Sequence, residues 1–377
     1  MIWSALLIPV FAIAILAWKF SSKMNIVEYI LVFVVPIICI SIGKYASTYS
    51  QTHDTEYWNS YGTSAWHEEE WRERWTETET YTTTDSKGNT QIHTRVVTKR
   101  RTNPEKWYVK DNIGDSYSIS MARFNQLCEL WSNKTFKNME RSKHTSHTIT
   151  KDGNAYFSNC DKIFDHTIPI CKQHTYENRV QCSKSVFNFE EVSVETKNQY
   201  KLYDYPEENV FGFNPILGGS NSIAALRLQN YNALNGSKKQ IHMMILVFYS
   251  QPLEAAFFQE CYWKGGNKNE FILCIGVDGN QVTWTKVISW TEEEELKAKT
   301  VRETKAMTEL DLVRVVDYMG ENVAPRFVRK HFADFNYLSV QPTNKAIIIT
   351  FLITFLTTLG ISVITVTNRY DFNSRKG

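Results

Sequence analysis

Three long apolar runs, Ile2–Trp18, Ile26–Gly43 and Ala346–Val366, constrain this chain more than any other feature. The first carries no charge, the second only Glu28 near its start, and the third is apolar apart from hydroxyls and Gly360. A helix crosses the hydrocarbon core of a bilayer with about 20 residues. The third run meets that length, and the first two suffice as a helical hairpin. Pro9 and Pro36 fall inside them, which lipid-embedded helices tolerate. A cleaved signal peptide fits the first run poorly. No basic residue precedes it, and Lys19 follows Trp18 where a cleavage site would need small residues.

Orientation follows from Lys and Arg in the short connections. The loop between the first two helices carries Lys19 and Lys23, and the tail after the third carries Arg369, Arg375 and Lys376. Three spans put that loop and that tail on one side. Both are basic, so both read as cytoplasmic. The region from about Lys44 to Lys345 is then expected outside the cytoplasm, with the chain in an inner or cytoplasmic membrane. The formal net charge of +2 over 377 residues is not a nucleic-acid-binding balance. Aromatic content of 14% argues for a packed region rather than disorder.

After the second span the pattern becomes that of strands. Trp71–Thr84 alternates charged or aromatic residues with Thr and Arg, Asp85-Ser86-Lys87-Gly88-Asn89 is a turn cluster, and Gln91–Thr102 alternates again. This predicts a long β-hairpin. A turn centred on Lys87 puts Glu79 opposite Arg95, Glu73 opposite Arg101 and Trp75 opposite Lys99, pairings that oppose other registers. The arm reads either as a solvated hairpin or as a device for binding a partner. Met121–Trp131 has helical spacing, and Asn133-Lys134-Thr135 and Asn235-Gly236-Ser237 match the glycosylation acceptor pattern. Leu202–Gly219 reads as a loop-rich connector.

From Gln240 the signal sharpens. Ile241–Tyr249 is a buried strand, Pro252–Trp263 a helix, Phe271–Val277 a second buried strand, and Gln281–Trp290 a third strand after the turn Asp278-Gly279-Asn280. Thr291 is expected to cap a helix with Glu292–Glu295 in its first turn, and Leu310–Val323 to form another. The expected fold class is therefore α+β: a membrane-anchored soluble domain with a long β-hairpin, an α/β-like C-terminal layer and three transmembrane helices. The corresponding divisions are a transmembrane hairpin over 1–44, a juxtamembrane segment with the charged hairpin over 45–102, and a mixed aromatic-rich region over 103–235. An α/β domain over 236–344, a transmembrane helix over 345–367 and a basic tail over 368–377 complete them.

Seven cysteines are present, Cys39 in the second span and Cys128, Cys160, Cys171, Cys182, Cys261 and Cys274 beyond it. An even number in an oxidising compartment suits disulfides. Cys160, Cys171 and Cys182 are also evenly spaced near His144, His147, His166 and His174. Disulfides, free thiols and a zinc site drawn from Cys160, Cys171, His174 and Cys182 all stay open. Cys274, in an apolar run, reads as a buried thiol.

No phosphate-binding glycine loop, nucleophile elbow, paired-His helix or calcium loop occurs in the sequence. The best candidate binding loop is Gly265, Gly266, Asn267, Lys268, Asn269 and Glu270, where glycines bring backbone N–H groups close to an anion and Lys268 supplies charge. The plainer reading is a helix-to-strand turn. Arg179 is a candidate for a partner's carboxylate or for a pair within the fold. Asp278 and Asp204 are candidate acids or metal ligands, and each also suits a turn. The sequence leaves the cofactor unknown.

The segments Gln240–Phe248, Tyr262–Leu273 and Ala324-Pro325-Arg326-Phe327, followed by a transmembrane helix, resemble the TPM domain family over about a hundred residues. That resemblance implies a phosphatase or a membrane-quality or assembly factor. The acidic metal-binding loop of an active member is not evident in this chain. Asp54–Asn59, Tyr176–Val180, Leu202–Pro206 and Gly265–Phe271 are similar to segments of uncharacterised membrane proteins encoded by tailed phages and bacteria, which implies no function. The expectation is a membrane-anchored, extracytoplasmic interaction or assembly protein. Its partners would be the lipid bilayer and another membrane or envelope protein, with homo-oligomerisation a further option and nucleic acid excluded. The alternative is a membrane-bound hydrolase of the TPM phosphatase type. A channel component ranks last, because the spans hold no charge beyond Glu28.

Overall fold

The computed structural model describes residues 2–20, 24–68, 70–131, 134–137, 147–149, 154–158, 167–182, 189–206, 211 and 213–374. In chain order, a short 3-10 turn leads into α1 (Leu7–Phe20) and α2 (Ile26–Thr52). Strands β1 (His53–Glu68), β2 (Trp71–Thr84), β3 (Thr90–Asn103), β4 (Lys106–Asp111) and β5 (Ser116–Ile119) follow, then α3 (Met121–Leu130). Next come β6 (Lys134–Lys137), β7 (His147–Ile149), β8 (Asn154–Ser158), β9 (Pro169–Glu177) and α4 (Val194–Gln199). The C-terminal half runs β10 (Ile216–Leu217), α5 (Ser222–Lys239), β11 (His242–Tyr249), α6 (Glu254–Tyr262), β12 (Glu270–Asp278), β13 (Gln281–Ile288), α7 (Glu294–Lys305) and α8 (Leu312–Tyr318). A π-turn (Met319–Val323) and α9 (Asn344–Ser374) close it. The chain forms an α+β protein with two compact units. One comprises Met1–Thr55, Thr175–Phe189 and His331–Gly377, the other Glu56–His174 and Glu190–Lys330.

The first unit holds three helices of membrane-spanning length and composition, Ile2–Phe20, Ile26–Thr52 and Asn344–Thr367. Their polarity is inverted relative to a helical bundle in water. Thr350, Thr354, Thr358 and Thr365 of α9 are buried, whereas Ile348, Leu352, Phe355, Leu356 and Leu359 face outward. Lipid tails are as apolar as leucine, so aliphatic side chains lose nothing by facing them, and hydroxyls prefer the bundle interior. The hydroxyls also fold back on the helix: Thr358 Oγ1 donates to the Thr354 carbonyl at 2.7 Å and Thr365 Oγ1 to that of Ile361 at 2.8 Å. Helix α2 packs most closely at Gly43, where an added Cβ would overlap the Thr350 hydroxyl. Glu28 sits in the first turn of α2, accepting from the Asn25 N–H at 2.7 Å, where a carboxylate suits the helix dipole.

In the second unit, one sheet has the order β5-β4-β1-β8-β6, with β9 also paired to β1. Its core gathers Ala65, Val109, Phe124, Leu127, Trp131 and Ile170. The hairpin of β2 and β3 has the register expected from its charges, with Glu73 opposite Arg101, Trp75 opposite Lys99 and Glu79 opposite Arg95.

The C-terminal layer is a four-stranded sheet, β10-β11-β12-β13. The first three strands are parallel and β13 is antiparallel. Helices cover both faces, so β11 reads as an unbroken apolar run. Met243, Ile245 and Val247 pack toward Ala224 and Leu228 of α5, with Leu296, Val315 and Val316 in the same core. Met244, Leu246 and Phe248 pack on the opposite face with Ala255, Ala256 and Leu202. Helix α7 starts two residues later than its sequence suggests. Glu293 is its cap residue, and Thr291 accepts from the Glu293 N–H at 3.4 Å.

Candidate functional site

The loop Gly265–Glu270 connects α6 to β12, and its backbone is unusual. Lys264, Gly265 and Gly266 all have positive φ, at 51°, 83° and 74°. At Gly266 an added Cβ would also meet a Glu270 carboxylate oxygen at 2.7 Å, so glycine is needed on both counts. The turn allows Glu270 to fold back under its own loop. Its Oε2 accepts from the Asn267 N–H at 2.7 Å, and its Oε1 accepts from Asn267 Nδ2 at 2.8 Å and from the Tyr205 hydroxyl. Trp290 Nε1 donates to the Gly266 carbonyl at 2.9 Å, and Asn269 Nδ2 to that of Tyr57 at 2.7 Å. The N–H groups of Gly265 and Gly266 go to the carbonyls of Glu260 and Trp263. These donors therefore close on the protein. Asn267, Asn269 and Glu270 are buried, and the loop is a joint at the N-terminal end of β12. Ligand crevices of open α/β sheets lie at the opposite, carboxyl ends of the strands.

Lys268 points instead to Glu56, a fully buried carboxylate on β1. Glu56 Oε1 gathers four groups. Arg329 Nη2 donates to it, Trp58 Nε1 lies at 2.9 Å, His174 Nδ1 at 3.1 Å and Lys268 Nζ at 3.7 Å. The His174 ring stacks on Trp58 at 3.8 Å between centroids, and the Arg329 guanidinium lies over the same indole at 5.9 Å. Burial pushes the Lys268 ammonium below its ordinary value; Glu56 opposes that shift and Arg329 adds to it. One carboxylate thus neutralises two cations, one from the loop and one from the residues after the π-turn. Beside it, His242 is completely buried, and its pKa is pulled down to about 3 by desolvation. Its Nδ1 lies 2.8 Å from Asn59 Nδ2, so the neutral ring accepts there.

The other expected site residues are dispersed. Arg179 pairs within its own unit. Its Nη1 donates to the carbonyls of Asn336 at 2.8 Å and Leu338 at 3.2 Å, and its Nε donates to Glu177 at 2.8 Å. Asp278 is exposed at the β12–β13 turn. Asp204 is held below its ordinary value by hydrogen bonds from Lys197 and Tyr262. For the weak zinc set, Cys160, like His144 and His166, lies outside the described residues. His174 is engaged by Glu56, and Cys182 Sγ donates to the Gln51 carbonyl at 2.6 Å. Among the described residues no three His, Cys, Asp or Glu side chains converge on a metal position. Disulfides, the other option for these cysteines, do not link the six described ones to one another; Cys274 is buried with its pKa pushed up to about 12. The acceptor Asn235 is inside α5, its Nδ2 donating to the Tyr231 carbonyl at 2.9 Å.

One feature was not visible in the sequence, and a second was visible there only as an alternation of residue types. An open groove of about 620 Å³ runs beside the start of α5, lined by neutral residues including Phe213, Asn214, Ser220, Asn221, Leu226 and Gln229. The other is the asymmetry of the β2–β3 arm. One face carries Trp75, Glu77, Glu79, Tyr81, Arg95 and Lys99, cross-linked by Lys99 to Glu77 at 2.6 Å and Arg95 to Glu79 at 3.1 Å. The other face, from Thr76 to Thr84 and from Thr90 to Thr98, presents only Thr, Ile92 and Val96, and all of these residues are exposed. No family model matches the chain, and neither curated proteins nor solved structures give a significant match.

Proposed function

We propose that this chain is a membrane-anchored interaction or assembly protein whose folded region stands on the extracytoplasmic side of the inner membrane. The observation that carries the reading is the arm. From the Thr76–Thr98 level to the turn, its two strands project a fully exposed, uncharged face, while the charges at these levels lie on the other side. Among the described residues, strand β7 pairs with β2 only at Glu73–Trp75, and beyond it the arm is a two-stranded hairpin, marginal in water unless a face is covered, so it fits a contact with another protein. The titratable groups of the C-terminal layer support the same reading. Glu56, Glu270 and His242 are buried and committed to neighbouring side chains, an arrangement suited to holding shape. The basic short loop and tail favour the stated side of the membrane.

The test is cross-linking in native membranes followed by mass determination. The reading expects a complex above the monomer mass that is lost when Ser86–Gly88 and the adjacent strand ends are deleted. A wild-type protein that stays monomeric under efficient cross-linking contradicts it.

A further inference from the structure

Resting on that reading, we infer that the partner of the arm's uncharged face is the same face of a second copy of this chain, packed antiparallel about a two-fold axis through Thr94.

The face has five levels between its base and its tip. Thr76 lies opposite Thr98, Thr78 opposite Val96, Thr80 opposite Thr94, Thr82 opposite Ile92 and Thr84 opposite Thr90. Ile92 and Val96, 74% and 71% exposed, are its only aliphatic residues, and they sit symmetrically on either side of Thr94 on one strand. A two-fold axis crossing the strands at the Thr80–Thr94 level maps β3 onto β3 of the other copy with its direction reversed. Ile92 of each copy then meets Val96 of the other, and threonine methyls meet threonine methyls elsewhere. Isologous interfaces require this self-complementarity.

Charge selects the same arrangement. The next level toward the base places Arg74 directly opposite Arg100, both exposed, a like-charge pair that destabilises an isolated sheet. Stacking two arms in parallel would bring four arginines together. Antiparallel stacking about Thr94 puts each arginine pair roughly 20 Å from the axis on opposite sides, some 40 Å apart, at about 3.4 Å per residue. That is several Debye lengths, so the repulsion is screened. Each pair then lies near the other arm's turn, which carries Asp85.

Area favours a copy held in the same bilayer over a free soluble partner. The uncharged face covers about 30 Å by 10 Å, or about 300 Å² per arm, from strand rise and spacing. Stable complexes in solution bury about 800 Å² per partner. A contact this small needs the raised effective concentration that membrane confinement supplies.

The experiment places a cysteine at the axis, Thr94→Cys, and treats native membranes with a short bis-maleimide. Val97→Cys on the charged face is the control, and the wild type sets the background from native thiols. The inference expects Thr94→Cys to give a covalent homodimer at least tenfold more than Val97→Cys. Adding Thr80→Arg should lower that yield at least tenfold, because it puts a charge at the centre of the contact. A spin label at Thr94 should also report a short distance between copies. Equal yields from the two positions, or a monomer at Thr94, overturn the inference. A cross-link from Thr94 to a different protein overturns the second copy as partner and leaves the interaction reading standing. A Thr94 position that joins nothing, on an arm that remains folded, removes the support for both.

Discussion

Glu56→Gln tests whether the buried ionic cluster holds the second unit together. The amide keeps the shape and one acceptor oxygen, so Trp58 Nε1 retains its partner. What disappears is the carboxylate that contacts both Arg329 and Lys268. Removing one member of a buried ion pair costs about 3–5 kcal/mol, because the other charge stays buried and uncompensated. Arg329 and Lys268 side chains keep 18% and 14% exposure, so partial hydration places the expected loss near the lower end, about 3 kcal/mol. The pH dependence gives a second signature. Lys268 has a folded pKa below its unfolded value, so in the alkaline range the unfolded chain binds more protons and stability rises with pH through that window. Without Glu56 the ammonium is disfavoured further, and the window extends to lower pH. Urea unfolding followed by tryptophan fluorescence, on full-length protein in nanodiscs, measures both. The double variant Glu56→Gln/Arg329→Met should lose less than the sum of the single losses. A loss below about 1 kcal/mol in the single variant, or a deficit that grows as pH rises, refutes the reasoning.

Other consequences follow from the buried groups. His242 stays neutral in the folded state down to about pH 3, whereas the unfolded residue protonates near 6.5, so stability falls progressively between those values as pH drops. His242→Gln should flatten that acid limb in urea titrations, and an unchanged limb would assign it elsewhere. Glu270→Ala should destabilise by about 2–4 kcal/mol, since it removes the buried carboxylate that accepts from the Asn267 N–H and the Tyr205 hydroxyl. A hydrolase instead predicts lost turnover with unfolding unchanged. Gly43→Leu should separate α2 from α9, lowering the melting temperature in detergent, while Gly360→Leu, with open space around it, should not. Cys274 should resist maleimide until the protein is unfolded.

Much of this architecture is legible in the residues because it depends on local periodicity. The three spans and the strands β11, β12 and β13 are near-continuous or alternating runs whose burial follows directly from pattern. The arm's register was readable because opposite charges occupy facing positions. Helix α5 was not, for a physical reason. Its buried face includes Asn230, Asn232 and Gly236, which interrupt the apolar period. Asn232 is there to pair with both the N–H and the carbonyl of Met243 on β11. The Glu56 cluster was equally hidden, because Glu56, His174, Lys268 and Arg329 come from four widely separated stretches of the chain. Only Lys268 belonged to the expected loop. The loop itself had the glycine spacing of an anion site, but the Glu270 carboxylate beneath it takes the place an anion would need.

The central claim is that a folded extracytoplasmic region is held at the membrane by three spans, and impermeant thiol labelling of intact cells tests it most directly. Ser86→Cys places the probe at the tip of the arm and Ser374→Cys in the basic tail, each read against the wild type. The account predicts that Ser86→Cys labels in intact cells and Ser374→Cys labels only after lysis. The reverse pattern would put the folded region in the cytoplasm and contradict it.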